Sequence, residues 1–439
     1  MKLTTMLAGA TLMTGSAIYF FSQSTTPIPG IKILEEKKHN ACVMRTIFNE
    51  PQSSVNLKAY MGDFKRAKID SAMNAGLNWL LTAQASNGGW GAGTHARQDL
   101  IDPTKLVQDP ASTAMSLMAL MRLGERPKGT THSSAVQNAI FYLLRCVEQS
   151  PADAANITTA TGTQPQVKLG QNIDVILTSQ CLTNVMHYVD DKSPAYQRLK
   201  NGIQKCVTMI EKAQGENGAT KGGGWAPVLQ SAFAVNALEL AEANEIKVNT
   251  AKLDSARTYQ KKNFAPGSTA ASDAAGVLLY SVSGNARATA KEKRRVKEVL
   301  KTAKMKGIIK DEKEVTIANL QQAGLSFNEA QELATTYKMN SYANKRAQDS
   351  DVITGFGNNG GEEFVSFLLT GESLIIGGDE EWKNWYENTS TILSNIQNNN
   401  GSWQGHHCIT SPVFCTATCL LILGIDKDLS QYEKISIAK

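Results

Sequence analysis

The sequence predicts an all-α protein: an (α/α)6 toroid of about six helix hairpins with a charged helical insertion. Three observations carry that expectation. A unit of amphipathic helix, Gln, small polar turn, Gly, Trp, loop and a second helix rich in Ala, Ser, Thr and Leu recurs along the 439 residues. No segment alternates apolar and polar residues with period two for long, so strands are not expected. The first helix of each unit has one apolar stripe, whereas the second is apolar or small on most faces and needs burial all round. A hairpin of this kind cannot cover its own inner face, so neighbours must stack, and six of them can close into a ring.

The elements follow in order. Lys2 precedes the apolar stretch Met6 to Phe21 and a polar exit from Ser22 to Pro29, which reads as an export signal or an uncleaved N-terminal anchor over 1–23. Residues 24–65 form a polar lead-in. The first clear unit pairs Ala75 to Leu81 with Gln84, Gly88 and Trp90, then with Ser112 to Leu120, closed by Gly124. A weaker unit pairs Ala139 to Leu144 with the helix around Leu177 to Val189. A middle unit has Gln214, Gly218 and a displaced Trp225 before Ser231 to Leu238. Leu253 to Gln260 pairs with Ser272 to Leu279, and Glu329 to Tyr337 with Glu362 to Leu369. The last unit runs from Ile392 to Ile396 through Gln397, Gly401 and Trp403 to Val413 to Gly424. The ring domain is thus expected over 66–425, with a charged insertion at 284–350 and a tail at 426–439.

Composition narrows the function classes. With 45 Lys+Arg against 40 Asp+Glu the net charge is only +5, which predicts no nucleic-acid partner. Hydrophobic residues make up 42%, which excludes a disordered chain. Seven cysteines scattered through helical runs, an odd number without C-x-x-C, do not form a disulfide framework. Phosphate loops, dinucleotide-binding glycine motifs, serine nucleophile elbows and H-E-x-x-H are absent.

Gln84/Gly88/Trp90 and Gln397/Gly401/Trp403 are two full copies of Gln-x-x-x-Gly-x-Trp. With these repeats the chain resembles the terpenoid cyclase and protein prenyltransferase α/α-toroid superfamily, squalene-hopene cyclases in particular, over roughly residues 66–425. The resemblance implies that the Gln-Trp pairs tie neighbouring helices together and are structural. It also implies an isoprenoid or other apolar ligand in a central cavity. Class II cyclases use Asp-x-Asp-Asp-Thr-Ala, whose middle Asp protonates the substrate. Here Asp109-Pro110-Ala111-Ser112-Thr113-Ala114 keeps the first Asp and the Thr-Ala, while Ala111 and Ser112 stand where the acid would be. Prenyltransferases hold zinc with Asp-x-Cys and a later His. No cysteine here has Asp two residues before it, and His406-His407-Cys408 is the similar spot, with a faint likeness to the zinc ligands of lanthionine cyclases. The thioester motif of complement-like toroids is absent.

The inner-helix starts carry Asp109, Asp174, Gln230, Asp273, Glu362, Glu363 and Ser411. Each either caps a helix or lines a polar rim. Glu362 and Glu363, after the turn Asn358-Asn359-Gly360-Gly361, are the best-placed acid/base pair, with Asp109 and Asp273 as further candidate acids. Phe233, Tyr280, Phe364, Phe367 and Phe414 either wall a cavity or pack a core. The stretch 287–310 has ten Lys/Arg against Glu292 and Glu298, a solvated face or a membrane-surface contact. The expected classes are therefore an exported toroid enzyme acting on or binding an apolar ligand, a non-catalytic cell-envelope scaffold with a protein partner, or a zinc enzyme at His406, His407 and Cys408.

Overall fold

The computed structural model describes residues 66–425 apart from 268, 270 and 379. The expected export signal, lead-in and C-terminal tail, and Cys42, lie outside the described residues. Within them the protein is all-helical, with fifteen α-helices and no named strand. Six long segments are buried on every face: α2 (Pro110–Arg122), α5 (Ile173–Val185), α7 (Pro227–Ala243), the first half of α9 (Leu278–Met305), α13 (Gly361–Gly377) and α15 (Pro412–Leu423). Their small and apolar residues leave no polar face to turn to water, which is why they form the inner layer.

The inner helices touch in a cyclic order. α2 packs on α5, α5 on α7, α7 on α9, α9 on α13, α13 on α15, and α15 returns to α2. The outer layer consists of α1 (Arg66–Thr82), α3 (Ser133–Gln149), α6 (Pro194–Ala213), α8 (Thr250–Lys262), α11 (Phe327–Arg346) and α14 (Trp382–Ile396). Each has one apolar stripe and presses it inward. α3 packs on α2 and α5, α6 on α5 and α7, α8 on α7 and α9, and α14 on α13 and α15. α1 docks on α15 and α14, the far end of the chain. Three short helices fill connections: α4 (Gln164–Lys168), α10 (Ile317–Gln322) and α12 (Ser350–Ile353).

The repeat motif has one geometry wherever it occurs. Gln84 Nε2 donates to Gly88 O and to Ala135 O of α3, both at 2.9 Å. Gln214 Nε2 donates to Gly218 O at 3.3 Å and to Lys252 O of α8 at 2.8 Å. Gln397 Nε2 donates to Gly401 O at 2.8 Å and to Ala72 O of α1 at 2.9 Å. Each glutamine thus fixes its own turn and ties it to the next outer helix. The glycines have φ +88°, +88° and +91°, and a Cβ on them would lie 2.4 Å from Asn138 O, 2.1 Å from Ser255 O and 2.6 Å from Ala75 O. Trp90 and Trp403 are fully buried, and their indole N–H groups donate to Leu80 O and Leu393 O at 2.8 Å.

The middle unit corrects the sequence reading. Trp90 N and Trp403 N donate to Thr113 Oγ1 and Thr416 Oγ1, both at 2.9 Å. In the middle unit the same bond runs from Thr220 N to Ser231 Oγ at 3.1 Å, so Thr220 holds the tryptophan's place. Trp225 is instead a half-exposed residue with Lys168 Nζ over its ring. The fourth inner helix also departs from expectation. Residues 272–274 make only one 3-10 turn, the chain turns at Ala275 and Gly276 with positive φ, and α9 starts at Leu278. Residues 284–290, expected in the charged insertion, are buried inner helix. The rest of the insertion has a core of its own, made by Val296, Leu300, Ala303, Ile309, Leu320, Ala330, Leu333 and Ala334.

Gly401→Ala should lower stability by about 2 kcal/mol or more, because both the left-handed φ and the carbonyl contact oppose a Cβ. Gly307→Ala, at φ +69° in open space, should cost about 1 kcal/mol. Chemical denaturation of the two variants against the parent chain checks the difference.

Candidate functional site

The six inner helices begin at a common end, and the loops before them are stitched together there. Gln98 Nε2, before α2, donates to Cys408 O, before α15. Gln164 Oε1 of α4 accepts from Thr410 N at 2.7 Å and Ser411 N at 3.0 Å. Trp225 N and Ala226 N, before α7, donate to Val167 O at 3.1 Å and Lys168 O at 2.9 Å. His406 N donates to Asn359 O at 2.8 Å, and Gly361 N to Ile409 O at 3.0 Å. Tyr280 in the first turn of α9 donates its hydroxyl to Glu363 Oε1 at 2.6 Å.

Glu362 and Glu363 lie at this rim with no exposed surface. Glu363 Oε1 also accepts from Phe356 N at 3.2 Å, and its Oε2 accepts from Gly360 N at 2.9 Å. His407 Nε2 stands 3.7 Å from that second oxygen. Glu362 is less well served. Its Oε2 accepts from Ile409 N at 3.2 Å, while its Oε1 is buried with no hydrogen bond. Burial, and then the neighbouring Glu363 charge, push the Glu362 carboxyl up to about 7. The Cys408 thiol is pushed up to about 12 by burial and by Glu362, which makes it a poor nucleophile. Cys408 also has φ +58°, a conformation imposed by the two ties on its flanks.

The other candidate acids are not brought to this pair. Asp109 caps α2: Oδ1 accepts from Ser112 N at 2.8 Å, and Oδ2 accepts from Ala92 N and Ser112 Oγ, both at 2.9 Å. Burial raises its carboxyl above the usual range. Asp273 is partly buried and accepts from Tyr259 Oη at 2.7 Å. Asp174 accepts from Ile157 N and Val175 N at 2.9 Å, and burial pushes it up to about 7. His406, His407 and Cys408 do not converge. His406 is exposed, His407 Nε2 contacts Asn358 O at 2.6 Å, and Cys408 leans on the acid pair. Among the described residues no three His, Cys, Asp or Glu side chains are grouped to hold a metal ion.

Among the described residues the inner helices pack closely at the level of Met115 and Phe233. Side chains from α2, α5, α7, α13 and α15, among them Met115, Met118, Phe233 and Leu368, enclose a space of about 10 Å³. That is room for one water at most. Phe233, Tyr280, Phe364, Phe367 and Phe414 are all buried. Beside this space runs a chain of buried charges that sequence reading missed. Arg122 Nη2 lies 3.1 Å from Glu372 Oε1, and Arg287 Nε lies 3.4 Å from Glu372 Oε2. Arg287 Nη1 lies 3.5 Å from Glu239 Oε2, and Arg257 Nη2 lies 2.9 Å from Glu239 Oε1. Burial raises the Glu239 carboxyl, but Lys291, Arg257 and Arg287 together hold it below the usual range. Arg287, read from the sequence as part of a solvated or membrane-facing stretch, is fully buried, and Lys293 and Arg294 are nearly so. No local pattern marks the chain of charges, because its five members come from five different helices.

Removing Arg287 breaks two buried ion pairs and takes away the cation that bridges Glu239, left with Arg257, and Glu372, left with Arg122. Arg287→Met should lower stability by about 3 kcal/mol or more, read by denaturant titration at neutral pH. The acid rim gives a pH dependence. A carboxyl raised from 4.5 to about 7 in the folded chain binds its proton more tightly there than in the unfolded one. Its contribution is therefore full below about pH 4.5 and is lost as pH rises through about 7. Glu362→Gln keeps an acceptor for Ile409 N and should flatten that fall, gaining about 3 kcal/mol at pH 8 and little at pH 4. Thermal melts across pH 4–8 check it.

No protein-family model matches the chain, and no curated protein matches it.

Proposed function

We propose that the chain is an (α/α)6 toroid of the terpenoid cyclase and prenyltransferase kind that works without catalysis, as a binding scaffold of the cell envelope. The cyclic order of the inner helices and the tie from Gln397 to Ala72, last turn to first outer helix, support the ring. The filled axis carries the functional reading. An isoprenoid of the family's size needs a pocket of several hundred Å³, against about 10 Å³ here beside a chain of ion pairs. The acids offered by the sequence are engaged as caps and acceptors at the rim, and the cyclase proton donor has no counterpart at Ala111 and Ser112. Export rests on the apolar stretch Met6 to Phe21.

The binding surface in this reading is the rim. Ile101, Val107, Val167, Trp225 and Phe356 are exposed apolar side chains in the loops before four inner helices. Lys168 and Lys221 stand among them with no carboxylate within ion-pair distance among the described residues. A protein segment with apolar side chains flanked by carboxylates fits this surface.

Native mass spectrometry and elemental analysis of full-length protein from its envelope fraction should show a protein partner, with neither a co-purifying isoprenoid nor stoichiometric zinc. Val107→Glu and Trp225→Ala should each remove that partner at unchanged helicity. A stoichiometric isoprenoid or zinc overturns the reading, as does a partner retained by both variants.

A further inference from the structure

At the end of α9 furthest from the rim, the charged insertion exposes apolar side chains that its own packing does not require. α9 starts at the rim with Tyr280 on Glu363 and runs for 28 residues to Met305. Lys297 Nζ donates at 2.8 Å to Gly378 O, where α13 ends. From there α9 continues for eight more residues, about 12 Å at the rise of an α-helix. The stripe Val296, Leu300 and Ala303 closes the insertion's core against Leu320, Ala330, Leu333 and Ala334. Met305 and Ile308 fall outside that core and are 78% and 46% exposed. Between them Gly307, at φ +69° in open space, turns the chain back, with Ile308 N on Ala303 O at 2.9 Å. The result is an exposed turn at the end of α9.

Its charges are sorted by side. Lys301, Lys306 and Lys310 are exposed and have no carboxylate partner among the described residues. Residues 301–310 carry no carboxylate of their own; of the acids that follow, Glu312 pairs with Lys304, while Asp311 Oδ1 accepts from Lys313 N at 2.9 Å and Glu314 Oε2 lies 3.5 Å from Asn319 Nδ2, both keeping their charge. Further back, Arg287, Lys293 and Arg294 are buried. Arg295 is exposed but lies 3.6 Å from Glu329 Oε1, so the exposed lysines of 287–310 that lack a carboxylate partner among the described residues are Lys301, Lys306 and Lys310.

We propose that the tip at Lys301 to Lys310 is a contact element for an anionic lipid surface. Met305 and Ile308 enter the headgroup region, while the long lysine stems lie along it and keep their ammonium groups at lipid phosphates. A turn without Trp, Tyr or Arg lacks the side chains that anchor protein partners, so the bilayer is the better-fitting occupant. The assignment stands apart from whatever the rim binds, because the rim lies at the other end of α9.

Hydrogen exchange of the full chain on vesicles tests it, since the readout is local to the tip and vesicle attachment through Met6 to Phe21 does not mimic it. On vesicles containing phosphatidylglycerol the amides of 301–310 should exchange at least about threefold more slowly than in solution. On pure phosphatidylcholine they should not change. The pair Met305→Ser with Ile308→Ser should abolish the slowing, and so should Lys301→Glu, Lys306→Glu and Lys310→Glu together, both at unchanged helicity. Absence of slowing on anionic vesicles overturns the proposal. So does equal slowing on neutral ones, slowing that survives both sets of substitutions, or slowing by soluble polyglutamate in place of vesicles.

Discussion

A single carboxamide, donated twice, organises this molecule. Gln84, Gln214 and Gln397 each hold a glycine turn with one N–H and the next outer helix with the other. The turn needs φ near +90° and a bare Cα against a neighbouring carbonyl, so glycine is the residue that fits. Each bond alone contributes about 1 kcal/mol. Its importance lies in geometry, because it sets the angle at which one hairpin meets the next. Gln397 does this between the last turn and α1 and joins residues 325 positions apart.

Around that frame the inner helices have to satisfy contrary demands. Their faces are too apolar for water, yet five charged side chains share their interior. Arg122, Glu372, Arg287, Glu239 and Arg257 alternate in sign, and each charge neutralises its neighbours along a path that is buried except at Arg257 on the outer helix α8. Such a chain is costly to break and adds little stability over an apolar filling. What it does here is occupy space between the inner helices, where Arg122 and Glu372 line the small gap beside Met115 and Phe233. The same economy of partners holds at the rim, where Glu363 has three donors and Glu362 has one. Burial, and then the charge of Glu363 beside it, push the Glu362 carboxyl toward neutrality.

The two ends of the inner layer then differ in kind. At the rim, loops from distant parts of the sequence are knitted by Gln98, Gln164, Trp225 and Tyr280, and apolar side chains stand outside the knit. At the other end one helix outruns its neighbours and carries a second small core to a lysine-ringed tip. The long α9 serves both ends, since its first half belongs to the buried inner layer and its second half to the insertion. That is why no composition boundary near residue 284 coincides with a structural one.

The sequence by itself determined the helical class, the inner and outer roles of the helices and the Gln-Gly-Trp turns. Each of these depends on residues within one or two helical turns of each other, where period and turn chemistry are fixed locally. It also put Glu362 and Glu363 at a helix start and Asp109 at a cap. It did not show that Thr220 stands in for a tryptophan, because the bond to Ser231 uses the backbone N–H and is indifferent to the side chain. It read Arg287 as surface, since a basic run looks solvated until Glu239 and Glu372 arrive from other helices. Whether the axis is open or filled was left to the tertiary structure for the same reason. The volume of a cavity is the small difference between a ring's diameter and the side chains of many separate segments, and no local pattern encodes it.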